Sequence, residues 1–146
     1  MTTGTTETLA PAGRIWTTGL IAGVIAGAIN FVVYLVASSA GVPFNVAPPD
    51  VPAPPFGVAA FALSVISILI GTFVLTLMPR FSQRPISTWR TVAIVALVLS
   101  FLQPLVLLSG MGGMPVSGWD TVIVLEIMHI IAGVIAIYLL TTRARA

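Results

Sequence analysis

The chain has 146 residues, of which 58% are hydrophobic and 7% charged, and its mean hydropathy is +1.11. That composition excludes an ordinary water-soluble domain, and the absence of cysteine excludes disulfides, thiolate metal sites and thiol redox chemistry. A net charge of +2 would suggest nucleic acid in a soluble protein, but here every basic residue is an arginine beside an apolar run, and no nucleic-acid module is present.

Residues 1–13 are rich in Thr with Gly and Pro. They are too polar to bury much and are expected to form a disordered tail. An apolar run over about 15–40 follows, long enough for a helix crossing some 30 Å of hydrocarbon. Gly19, Gly23 and Gly27 recur along it every four residues. Such a ridge lets a second backbone approach closely, either within the chain or in a homodimer. The link at 41–55 holds six prolines between Pro43 and Pro55 and is expected to be stiff and polyproline-like, a spacer or lid over the helices or a docking strap for a partner.

A second span covers 56–78, with Gly57, Ala60, Ser64, Ser67 and Gly71 as small residues along it. A basic link at 79–87 leads to a third span at 88–108. There Pro104 follows Gln103, removes an amide donor and clashes with the carbonyl of Ser100, so a kink is expected. The link at 109–118 is glycine-rich. Its Met111 and Met114 resemble a soft copper(I) pair, but two thioethers are too few for such a site. The fourth span, 119–140, carries Ala132, Gly133 and Ala136 as a further small-residue stripe, and 143–146 is a short tail.

The fold expected is an all-α membrane protein, an antiparallel bundle of four transmembrane helices. Arg14, Arg80, Arg84, Arg90, Arg143 and Arg145 all fall at one end of it, while the links with Asp50 and Asp120 carry no basic residue. The positive-inside rule therefore orients both termini to the cytoplasm. Arginine without lysine, with abundant Ala, Gly, Val and Pro, fits a bacterial genome rich in G and C, and the location expected is the bacterial cytoplasmic membrane.

Depth counted along the helices brings Asn30, Ser64, Ser67, Gln103, Glu126 and His129 to similar levels in the outer half of the bilayer, while the inner half holds only Thr72 and Thr76. Glu126 and His129 are three apart and share a helix face. A bare carboxylate at that depth costs several kcal/mol, so it must be protonated, paired or wetted. Three readings stay open. One is a structural hydrogen-bond cluster with Glu126 bonded to His129. Another is a proton or ligand site. The third is a metal or haem site, for which Glu-x-x-His is only half of a di-iron pattern, so no metal or cofactor is assigned. Phosphate loops, nucleophile elbows and His-Glu-x-x-His motifs are missing.

The segments GLIAGVIAGAINFVVYLVASSAGVPF, RFSQRPISTWRTVAIVALVLSF and LEIMHIIAGVIAIYLL resemble a family of bacterial four-helix membrane proteins of unknown function. The resemblance covers nearly the whole chain after residue 13, with Asn30 and Met128-His129 its most distinctive points. It implies the fold, no activity and no catalytic residues. The function expected is a non-enzymatic subunit or accessory protein of a membrane assembly, with lipid and a membrane protein or a second copy as partners. A small proton-linked permease using the polar residues is the alternative.

Overall fold

The computed structural model describes residues 7–48, 52–113 and 115–146. Pro49, Asp50, Val51 and Met114 lie outside them. Among the described residues, α1 (Ala12–Ser39), α2 (Phe56–Leu77), α3 (Pro85–Ser100) with the short α4 (Leu102–Val106), and α5 (Trp119–Arg143) are the helical segments. Counting α3 and α4 as one crossing, these make four spans long and apolar enough to traverse a membrane. Proline precedes α1 and α2 at positions 11 and 55 and opens α3 at Pro85. Its fixed φ and missing amide are harmless there. Gly41, at φ +89°, ends α1, and the Val42 amide reaches back to the Ala37 carbonyl at 3.1 Å. That is the left-handed cap glycine adopts at least cost.

The helices form an antiparallel bundle in which α1 packs against both α2 and α5, while α3 leans mainly on α5. The glycine ridge explains the first contact. A Cβ on Gly23 would lie 3.1 Å from the Val65 Cα, and one on Gly27 would lie 2.9 Å from the Phe61 carbonyl oxygen. One on Gly19 would overlap Thr72. α2 thus occupies the ridge along its length, and a homodimer through that same ridge has no room to form. Ala132 and Ala136 pack on the buried Ala22, Ala26 and Ile68. Gly133, by contrast, meets α3, because a Cβ there would be 2.7 Å from Leu97.

Two sequence expectations need correction. Residues 7–13 are not a free tail. Glu7 bonds α3, Leu9 pairs with Arg145 in an antiparallel bridge, and the Ala10 amide donates to the Ala144 carbonyl at 2.8 Å. Ala10 and Ala144 are buried with Ile15, Leu75, Trp89 and Leu140, so two apolar side chains in polar-looking tails find a shared core. Secondly, the helices run past the apolar limits at the basic end, starting at Ala12 and Pro85 and ending at Arg143, since backbone bonding continues wherever side chains can face water. The described part of the proline-rich link lies back on the helices. Phe44 stacks on Phe56 at 4.7 Å, and Tyr34 meets Phe44 edge-on at 5.2 Å. The Thr121 hydroxyl ties Pro43 to the start of α5 by donating to its carbonyl at 2.6 Å.

The third span does break. α3 stops at Ser100, Phe101 forms a turn, and α4 resumes for five residues. Pro104 has no amide to return to the Ser100 carbonyl. Beyond it the amides of Leu107, Leu108 and Ser109 bond three residues back, a tightening that ends the helix.

Candidate functional site

A cleft of about 710 Å³ runs along the bundle from Phe56, beside the proline-rich link, down to Trp89 and Ile137. It runs between α2 and the α3–α4 segment with α5 behind it, and it exists because α2 and α3 pack together only slightly. Its floor is Trp89, buried and donating from Nε1 to the Gly71 carbonyl at 2.8 Å. Val46 and Phe56 border its upper part. The walls are mostly small or aliphatic, among them Ala60, Ala93, Ala96, Ala132 and Gly133. Such residues leave volume that larger side chains would fill.

Asn30 of α1, Ser64 and Ser67 of α2, Gln103 of α4 and His129 of α5 bring the polar groups of this wall from four helices. Asn30 is buried where α1, α2 and α5 meet. Its Nδ2 donates to the Ser64 hydroxyl at 2.9 Å and to the Met128 carbonyl at 3.2 Å. Ser64 passes its own proton to the Ala60 carbonyl at 2.7 Å. The amide orientation is therefore dictated, since a hydroxyl that donates to Ala60 must accept from Asn30. Asn30 Oδ1 is left buried without a partner. This is a pin between helices, and such bonds contribute about 0.6 kcal/mol each in membrane bundles.

His129 lines the same cleft, and its Nδ1 is 2.8 Å from the Leu125 carbonyl. A carbonyl only accepts, so Nδ1 is the donor in this contact, and Nε2 is the ring nitrogen left to face a ligand. Ser67 and Gln103 are exposed within the cleft. Five of the six polar positions read from the sequence, namely Asn30, Ser64, Ser67, Gln103 and His129, thus border one cavity.

Glu126 does not. It is no part of the wall, it makes no bond to His129, and its Oε2 is buried with no partner. The expected Glu126–His129 pair fails because the imidazole satisfies itself on its own helix. Glu126 also shares a stripe with Gly133, two turns along, on the flank that meets α3. Among the described residues no three of His, Cys, Asp and Glu gather as a metal would require. Thr72 and Thr76 are satisfied locally by the carbonyls of Ile68 and Phe73 at 2.7 and 2.6 Å. Met111 is 64% exposed, and its expected companion Met114 lies outside the described residues.

Residues 10–146 match a family of unknown function, DUF6069. The chain belongs to this family. No curated protein and no solved structure is significantly similar to it. The DUF6069 match takes in all four spans and every residue of the cleft wall. It begins at Ala10, the first residue of the tail buried against the bundle.

The second feature absent from the sequence reading is at the other end. Glu7 caps α3 from outside, its Oε2 accepting the amides of Ile86 at 3.0 Å and Ser87 at 3.1 Å. Oε1 accepts the Ser87 hydroxyl at 2.6 Å. Those donors, with the nearby Arg145 charge, hold the Glu7 carboxyl below its ordinary pKa.

Proposed function

We propose that this DUF6069 protein is a non-enzymatic binding protein of the membrane, and that its cleft takes up a small, largely apolar molecule carrying a hydrogen-bond donor. The cleft itself carries the reading. Its volume of about 710 Å³ falls in the range of about 300–1,000 Å³ usual for ligand pockets, which are apolar with a few fixed polar groups. The polar groups here discriminate. His129 Nε2 can accept from an alcohol or amine, while Ser67 and Gln103 can donate or accept.

The chain has three tryptophans, and Trp89 alone forms the cleft floor. With Trp16 and Trp119 replaced by Phe, a brominated long-chain alcohol in mild detergent should quench Trp89 saturably. Ser67→Phe should fill the cleft and abolish the quenching. His129→Leu should weaken the alcohol and leave a brominated alkane unaffected. Quenching that rises linearly and ignores Ser67→Phe would end this reading.

A role as subunit of a larger assembly is favoured by one further observation. The span formed by α3 and α4 is little buried and presents Val92, Val95, Leu99 and Leu102 outward, a flank suited to another membrane helix. A monomer purified without any companion would remove that support. A proton-linked permease needs a passage past Trp89, and in this conformation Trp89, Ile15, Leu75 and Leu140 pack together below the cleft. The arginine-rich end is assigned to the cytoplasmic side of a bacterial inner membrane by charge asymmetry. Since the chain lacks cysteine, single cysteines at Ser109 and Thr142 report orientation directly. Labelling of position 142 from outside intact cells would reverse the assignment.

A further inference from the structure

A second concavity, of about 370 Å³, lies at the arginine-rich end between the first turns of α3 and the last turns of α5. Ile86, Ser87, Arg90, Thr141, Thr142 and Arg145 line it. Both guanidiniums belong to exposed residues. Arg145 spends one donor, Nε, on the Thr141 carbonyl at 3.3 Å, which orients the side chain and leaves its other donors available. The three hydroxyl protons of the wall are already committed, Ser87 to Glu7 and Thr141 and Thr142 to the carbonyls of Ile137 and Tyr138, each at 2.6 Å. Nor is the α3 N-terminus free for a ligand, because Glu7 occupies its amides. Recognition in this groove therefore falls to two guanidiniums against one carboxylate whose oxygens are turned to α3.

The apolar sequence of α5 ends immediately below, at Tyr138, Leu139 and Leu140, so the groove lies where the hydrocarbon gives way to headgroups. We propose that it binds the phosphate of an acidic membrane lipid, with Arg90 and Arg145 as the two prongs. Guanidinium forks match phosphate oxygens bidentately, and basic pockets between membrane helices are suited to anionic headgroups. The rim of the groove is continuous with the lipid-facing sides of α3 and α5, so the acyl chains can run down beside Val92 and Tyr138, both exposed. This assignment is independent of the cleft and stands or falls by itself.

The test uses the full chain purified in mild detergent. Thermal unfolding and native mass spectrometry are followed with phosphatidylglycerol or phosphatidylcholine added at equal mole fraction, and with inorganic phosphate alone. Phosphatidylglycerol should raise the melting temperature and remain bound in the gas phase, phosphatidylcholine should do neither, and inorganic phosphate should act only at far higher concentration. Replacing both arginines (R90Q with R145Q) should weaken phosphatidylglycerol about thirty-fold, whereas R80Q with R84Q should leave it unchanged. T142E keeps both arginines and the local packing but puts a carboxylate in the groove, and it should lose the lipid as well. Equal responses to the two lipids, or equal losses in the two arginine pairs, would reduce the effect to diffuse surface charge and overturn the site. A full response to inorganic phosphate at lipid concentrations would overturn the lipid as its ligand.

Discussion

The two ends of this bundle solve the same packing problem in opposite ways. At the arginine-rich end, large side chains fill the interior, with Ile15, Leu75, Trp89 and Leu140 all nearly inaccessible. Both tails are folded across it, joined by the Leu9–Arg145 bridge and by Glu7 on α3. Toward the proline-rich end and down to Trp89, a wall of small and aliphatic side chains leaves a cavity of about 710 Å³ open. Lipid removes the hydrophobic drive between helices, so close packing and buried hydrogen bonds must hold a membrane bundle. The first region uses both. The second relinquishes packing between α2 and α3 and is held by the α1–α2 seam, the Asn30 pin to Ser64 and Met128 and the Thr121 bond to Pro43. This open space is what the proposed ligand would occupy.

The sharpest way to break this contrast is to attack what both halves share, the seam of α1 and α2. Gly27→Leu demands four heavy atoms where even a Cβ lies 2.9 Å from the Phe61 carbonyl. Backbone cannot move aside as a rotamer can. The expected outcome is loss of the compact fold, read as loss of a monodisperse peak and of cooperative melting in detergent. Trp89→Ala should come next. It removes a buried aromatic and its bond to Gly71 at a cost of about 3–5 kcal/mol, and it joins the cleft to the region beneath. The variant should melt earlier in detergent than wild type. An unchanged melting temperature would show that Trp89 does not separate the two regions.

How much of this was legible beforehand depends on the geometry each feature requires. Four spans follow from the length of four apolar runs, and the α1–α2 seam follows from three glycines at a spacing of four, because both are one-dimensional signals. The polar wall was legible in height only. Depth counting and a spacing of three placed Glu126 and His129 together, but neither shows that the imidazole bonds the Leu125 carbonyl of its own helix and leaves the carboxyl outside the wall. A sequence shows that polar groups share a level, not that they share a side. The break after Ser100 was announced by Pro104, whereas the mainly apolar size of the cleft was not, since small residues can equally mark tight seams. Along α5 they do both, with Ala132 and Ala136 against α1 and α2 and Gly133 against Leu97.

Glu7 illustrates the last kind of illegibility and gives the smallest and most selective perturbation. It was read as part of a polar tail because its partners are 79 and 80 residues away. No pattern within the tail announces them. The first amides of a helix lack partners of their own and attract negative charge. A carboxylate from elsewhere serves as well as a local cap, and Glu7→Ala should cost about 1 kcal/mol, as the loss of a cap does. The pH dependence distinguishes this from lost packing. The folded-state pKa of Glu7 is lowered, so its contribution is complete above the ordinary carboxylate value of about 4.3 and disappears as pH falls through the lower, folded value. The melting gap between wild type and Glu7→Ala should therefore be constant from pH 7 to about 5 and close on further acidification. A gap that persists undiminished at pH 3 would mean that the Glu7 side chain acts without its charge, and no gap at any pH would mean that the tail is held by Leu9 and Ala10 alone.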